Sequence, residues 1–140
     1  VRGNSYRNEL MAFILEDGNV TEAIRPYMMA RIVDVPMFFE NYRTDDAEAD
    51  VCFRFEIEDA FLDWNNRSFD ILFHEGRAET TDIEPDYTVS MSIGTLSTLL
   101  LGYMPAAQLH RLERIKGTPE AIEALDEILI HEIPYISDYI

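Results

Sequence analysis

Alternation of apolar and polar positions is clearest at Val51 to Asp59. Val51, Phe53, Phe55 and Ile57 fall on one side, and Cys52, Arg54, Glu56 and Glu58 on the other. Period two over this length predicts a strand with one buried face and one mostly wet face. Trp64-Asn65-Asn66-Arg67 supplies turn chemistry, after which Phe69, Ile71 and Phe73 alternate with Asp70, Leu72 and His74. That pair reads as antiparallel. Asp82 to Pro85 is a loop, and Tyr87, Val89, Met91 and Ile93 mark a further strand. Tyr27 to Val35 is apolar on both faces and predicts a covered strand.

From Gly94 the period changes. Thr95 to Leu101 reads as a helix stopped by Gly102, and Pro105 opens a second helical stretch through Leu112. Pro36 opens a short helix carrying Met37, Phe38, Phe39 and Tyr42, followed by a charged loop from Arg43 to Asp50. Thr118-Pro119-Glu120 starts the last clear helix: a capping hydroxyl, a proline in the first turn and an acidic complement to the dipole. Ile122, Leu125 and Leu129 give it an apolar stripe. Leu10 to Leu15 is a short apolar run before the turn signal Glu16-Asp17-Gly18-Asn19, and Ile133 to Ile140 is an aromatic-bearing tail. The expected architecture is α+β, a mostly antiparallel sheet with helices packed on one side.

The 140 residues fit one domain. A formal net charge of −16 argues against a nucleic-acid backbone or an anionic membrane as partner and favours a cationic one. No stretch is apolar enough to span a bilayer, and no secretory leader is seen at the start. The single cysteine, Cys52, has no internal disulfide partner, so a cytoplasmic location is the default.

Most catalytic templates fail. No glycine-rich phosphate loop, H-E-x-x-H or C-x-x-C occurs, and His74, His110 and His131 lie far apart, so no metal site is expected. Cys52 reads as a half-buried strand residue rather than a nucleophile. Asp45, Asp46, Glu48 and Asp50 read as a solvated loop, and Glu56 and Glu58 as a wet strand face. Asn19-Val20-Thr21 and Asn66-Arg67-Ser68 match the glycosylation sequon by chance in a chain with no secretory signal. Arg114-Ile115-Lys116-Gly117-Thr118-Pro119 approaches the pyrophosphate-binding R/Q-x-x-G-x-G/A of acetyltransferases. Pro119 removes one of the amides that motif uses, and no convincing strand precedes it, so the segment reads as a capped helix with no cofactor-binding residues.

Three stretches together resemble one family. Met28-Met29-Ala30-Arg31-Ile32-Val33-Asp34-Val35-Pro36 is similar to the start of the C-terminal domain in N-acetyltransferases of the enhanced-intracellular-survival type, members of the GNAT group. Asp86 to Tyr103 resembles that domain's last strand, next helix and following turn, and Pro134 to Ile140 its terminal tail. The resemblance runs from about Tyr27 onward. It implies a fold like the sterol carrier protein over residues 27–140, with residues 1–26 a linker or the end of a preceding acetyltransferase-like region. A first residue of Val rather than Met fits a piece of a longer protein.

In that family the domain follows two acetyltransferase-like domains, the first of which binds acetyl-CoA. The resemblance therefore implies an amine substrate, preceding acetyltransferase domains as partners, no cofactor in this piece, and a piece that is catalytically silent by itself. It also gives the tail a role: the terminal carboxylate, here that of Ile140 if the native chain ends there, acts as general base on the substrate amine. Tyr139 and Asp138 would lie beside it against the substrate. Tyr139 stands where some members carry a carboxylate for polycationic substrates, so no particular aminoglycoside is implied. Two other readings belong beside this one. One is a free-standing carrier of lipids or other hydrophobic ligands, with Met91, Leu96 to Leu101, Tyr103 and Met104 lining a cavity. The other is a module for homo-oligomer assembly.

Overall fold

The computed structural model describes residues 29–44 and 50–130. The alternating strands form where the pattern puts them: β1 (Asp50–Glu58), β2 (Ser68–His74) and β4 (Tyr87–Ser92). Two strands were not legible in the pattern, β3 (Arg77–Thr80) and the two-residue β5 (Ile115–Lys116). The sheet order is β3-β2-β1-β4-β5. All neighbours are antiparallel except β1 and β4, so the sheet is mostly antiparallel, as expected.

Glu75 and Gly76 join β2 to β3 with positive φ at both positions, 50° and 73°. That is the two-residue hairpin turn whose twist suits flanking strands. It converts the polar Arg77-Ala78-Glu79-Thr80 into an edge strand that buries only Ala78.

Four helices occur among the described residues: α1 (Val35–Glu40), α2 (Ile93–Leu100), α3 (Ala106–Arg111) and α4 (Pro119–Ile128). They pack on one face of the sheet. Helix α2 starts before Thr95 because Ser92 caps it, its hydroxyl accepting the Thr95 N–H at 3.3 Å. Gly102, at φ 71°, ends the turn that follows it. Thr118 caps α4 through the Ala121 N–H at 3.2 Å, and Ile122, Leu125 and Leu129 are buried. The short β5 does precede this helix, yet its first turn is closed by its own threonine and proline.

The core between sheet and helices is aromatic. Phe39 of α1 meets Phe55 at 5.1 Å and Phe73 at 6.1 Å between ring centroids, and Phe53 meets Tyr87 at 5.2 Å. Phe39, Phe53, Phe55 and Phe73 are fully buried. Each such ring contact adds about 0.5–1.5 kcal/mol beyond the burial itself.

The opposite face of the sheet is polar, with Arg54 making a bidentate pair to Asp70 at 2.7 and 2.8 Å. Cys52, expected to be half-buried on this face, is fully buried. The loop before β4 crosses it: Asp86 accepts the Cys52 N–H at 2.9 Å, and the Ile83 carbonyl accepts from Sγ at 3.7 Å. Burial, and then the Asp70 and Asp86 carboxylates, push the thiol up from its ordinary pKa.

The covered strand expected over Tyr27 to Val35 is overturned for its described part. Met29 to Asp34 contains no strand, and α1 begins at Val35. The physical reason is that side chains, not a neighbouring strand, satisfy this backbone. The Ile32 N–H donates to Ser97 Oγ at 3.0 Å, the Val33 carbonyl accepts from Trp64 and Asn65, and Asp34 caps α1 through the Met37 N–H. The readings made on Leu10 to Asn19, on Asp45, Asp46 and Glu48, on His131, and on Ile133 to Ile140 lie outside the described residues. So do Asp138, Tyr139 and Ile140.

Candidate docking face

The segment that carries the chain into the domain is held by a buried polar knot. β1 ends at Glu58, and the next residue, Asp59, turns its carboxylate inward, where the side chain is wholly buried. It accepts the Phe61 and Leu62 amides at 2.9 and 3.1 Å, the Asn65 side-chain amide at 3.2 Å and the Arg31 guanidinium at 2.6 Å. Burial alone would push this carboxyl up. Arg31, the two backbone amides and Asn65 outweigh it and hold Asp59 well below the ordinary carboxylate range.

Asn65 completes the knot. It is fully buried, its Oδ1 accepts the Val35 N–H at 3.2 Å, and its Nδ2 reaches the Val33 carbonyl at 3.1 Å. Asn66 closes the loop by accepting the Asp59 N–H at 3.1 Å. The turn residues read from the sequence are therefore also the clamp on residues 31–35. That second role gave no signal in the pattern, because a buried turn asparagine looks the same as an exposed one.

Apolar side chains stand out of this knot into solvent. Phe61 is 81% exposed and Trp64 56% exposed, with Met29, Val33 and Met37 also exposed. The Arg31 guanidinium lies 5.4 Å from the centre of the Phe61 ring, and the Trp64 indole N–H donates to the Val33 carbonyl at 2.8 Å. Beside them runs an open cleft of ≈ 340 Å³ whose walls include Arg31, Val33, Met37 and Tyr42. The Tyr42 hydroxyl accepts the Ile130 N–H at 3.2 Å.

The other candidates separate. Leu96, Leu99, Leu100 and Met91 are packed into the core, whereas Tyr103 is exposed and Met104 only partly buried. A second open cleft, ≈ 470 Å³, lies between α3 and α4 along His110, Arg111, Glu123 and Glu127. His110 Nδ1 lies 2.9 Å from the Ile115 carbonyl, and His74, the last residue of β2, has its Nδ1 3.5 Å from Asp50. Among the described residues no group of three or more His, Cys, Asp and Glu is placed to hold a metal ion, and no helix is long and apolar enough to cross a membrane. Glu56 and Glu58 are exposed on the polar sheet face.

A five-stranded mixed sheet with helices on one side and a clamped strap leading into it defines an α+β domain of the sterol-carrier type. The family profile of the sterol carrier protein domain matches residues 35–137, and the chain belongs to that family. No curated protein matches it. Among solved structures it is similar to a protein of Enterococcus faecalis V583 described as a probable N-acyltransferase. That match has 34% identity and a TM-score of 0.74, covering 82% of this chain and 29% of that one. It is also similar in fold to a GCN5-related N-acetyltransferase of Anabaena variabilis. There the identity is 22% and the TM-score 0.66, over 74% of this chain and 26% of that one. Eis1 of Mycobacterium abscessus shares 23% identity at a TM-score of 0.59, over 75% of this chain and 26% of that one. The chain spans less than a third of the length of each of these proteins.

Proposed function

We propose that this chain is the C-terminal domain of an acetyl-CoA-dependent N-acetyltransferase that acts on amines. It walls the substrate cleft and supplies its own terminal carboxylate to the reaction. The observation that carries the reading is the placement of Ile130, whose N–H donates to Tyr42, a residue in the wall of the cleft beside Arg31 and Val33. A tail after Ile130 starts at Tyr42, just past α1. The ten residues after Ile130 reach at most about 33–36 Å when extended, enough to cross to a neighbouring domain. The similarity to a probable N-acyltransferase at 34% identity supports the same class.

Acetyl-CoA belongs to the preceding part of the protein. The one helix start here that approaches a pyrophosphate site has its free amides reduced by Pro119 and capped by Thr118, so it does not fit the cofactor. What this chain contributes is a base and a charge. An amine must lose a proton before it attacks a thioester. A free terminal carboxylate has a pKa near about 3.5 and is a weak base in water. Burial in an apolar cleft raises a carboxylate's pKa and strengthens it as a base; in this proposal Ile140 supplies that carboxylate, with Tyr139 and Asp138 against the substrate. A positioned base contributes about 10²–10⁴ in rate. The acidic balance of the chain, −16, favours a cationic acceptor.

The test is acetyl transfer from acetyl-CoA to a panel of primary amines and polyamines. It compares the parent protein with residues 1–140 alone. Transfer by the parent and none by the domain is the expected result. A parent that transfers no acetyl group to any amine ends the proposal.

A further inference from the structure

We propose that Phe61 and Trp64, with Met29, Val33 and Met37 around them, are the anchor by which this domain docks onto the folded unit that ends in residues 1–28. The inference rests on reading the chain as a trailing domain and names the surface that makes the join.

The rim is built to be rigid before it meets anything. The Asp59 carboxylate accepts the amides of Phe61 and Leu62, so the backbone under Phe61 is fixed. Trp64 has its only polar atom bonded to the Val33 carbonyl, so its ring face is free for apolar contact. Aromatic side chains held in place lose little freedom on docking, and such residues carry a large share of the energy at interfaces. Two large aromatics exposed together, with two methionines and a valine, form a patch of the kind that marks an interaction surface rather than a scattered surface residue.

Three observations choose the occupant. Met29 is on this rim and 98% exposed, and residues 1–28 join the domain at it. Those residues include the apolar run Leu10-Met11-Ala12-Phe13-Ile14-Leu15. The Arg31 guanidinium beside the rim is paired with Asp59 at 2.6 Å, and the other charges there, Asp34 and the exposed Asp63, are acidic. A nucleic acid finds no unpaired Arg31 charge to hold its phosphates, whereas the exposed aromatics and methionines fit an apolar protein surface.

The experiment uses the full-length parent protein carrying Phe61→Ser and Trp64→Ser together. The control is Ile83→Ser with Leu112→Ser, which removes two exposed apolar side chains elsewhere. Limited proteolysis within residues 16–28 reads whether the domain is docked, and circular dichroism checks that each variant is folded. Cleavage there is expected to speed at least tenfold in the first variant and to stay within twofold in the control. Equal cleavage of the first variant and wild type overturns the proposal. So does a halved solution mass without faster cleavage, which would make the rim a contact between two copies. The proteolysis result does not depend on acetyl transfer. Faster cleavage in a parent inactive on every amine keeps the docking anchor and removes only the enzymatic reading.

Discussion

Replacing Asn65 by alanine removes three hydrogen bonds at once from the strap that leads into the domain. The Val35 N–H loses its acceptor while Val35 itself stays fully buried. An orphaned buried donor costs about 1–3 kcal/mol. The Val33 carbonyl keeps the Trp64 indole N–H and Asp59 keeps Arg31, so the two other losses add less. Allowing for overlap between neighbours in one network, Asn65→Ala lowers stability by about 2–4 kcal/mol. Urea unfolding followed by tryptophan fluorescence measures it directly, since Trp64 is the only tryptophan of the chain and sits on the strap. The midpoint should fall with little change in slope. Asn66→Ala, which removes only the bond to the Asp59 N–H, should cost about 1 kcal/mol. An Asn65→Ala loss below about 0.5 kcal/mol, the size of an ordinary surface change, would refute the clamp. Asn65→Asp keeps the acceptor but sets a second carboxylate where the amide lay 3.2 Å from Asp59. It should therefore be less stable at neutral pH than in acid.

Further outcomes follow from the same geometry. Asp59 titrates below its unfolded value, so its contribution is complete above about pH 4 and is lost as pH falls below that. The gap in urea midpoint between wild type and Asp59→Asn should hold from pH 7 to 5 and narrow in stronger acid; a constant gap would contradict this. Cys52 is buried with its thiol pKa raised, so iodoacetamide at pH 8 should label the native protein at least about tenfold more slowly than the urea-unfolded chain. Equal rates would mean that the Ile83 to Asp86 loop does not cover it. Gly76→Ala places a Cβ at φ 73° and should cost about 1–2 kcal/mol by thermal or urea unfolding. A neutral result would argue against the two-residue turn.

The strands β1, β2 and β4 were legible because each has one core face and one polar face, which writes burial directly into alternation. The caps at Pro36 and Thr118 were legible for a similar reason, since they act within a few residues. The segment from Met29 to Val35 misled because its apolar residues serve two purposes. Ile32 and Val35 enter the core, while Met29 and Val33 face out, and hydrophobicity alone does not separate the two. β3 and β5 were illegible because one is mostly polar and the other has two residues; their pairing is imposed by the neighbouring strand. The knot of Arg31, Asp59 and Asn65 joins residues about thirty positions apart, and no local pattern announces it. The carboxylate of Ile140 entered through family resemblance, not through any pattern in the chain.

The most direct measurement appends a short neutral peptide after Ile140 in the parent protein and follows kcat for acetyl transfer to its best amine. This moves the α-carboxylate away while leaving every described residue in place. The account predicts a fall of about 10²–10⁴ in kcat, the contribution of a positioned base. An unchanged kcat would contradict it.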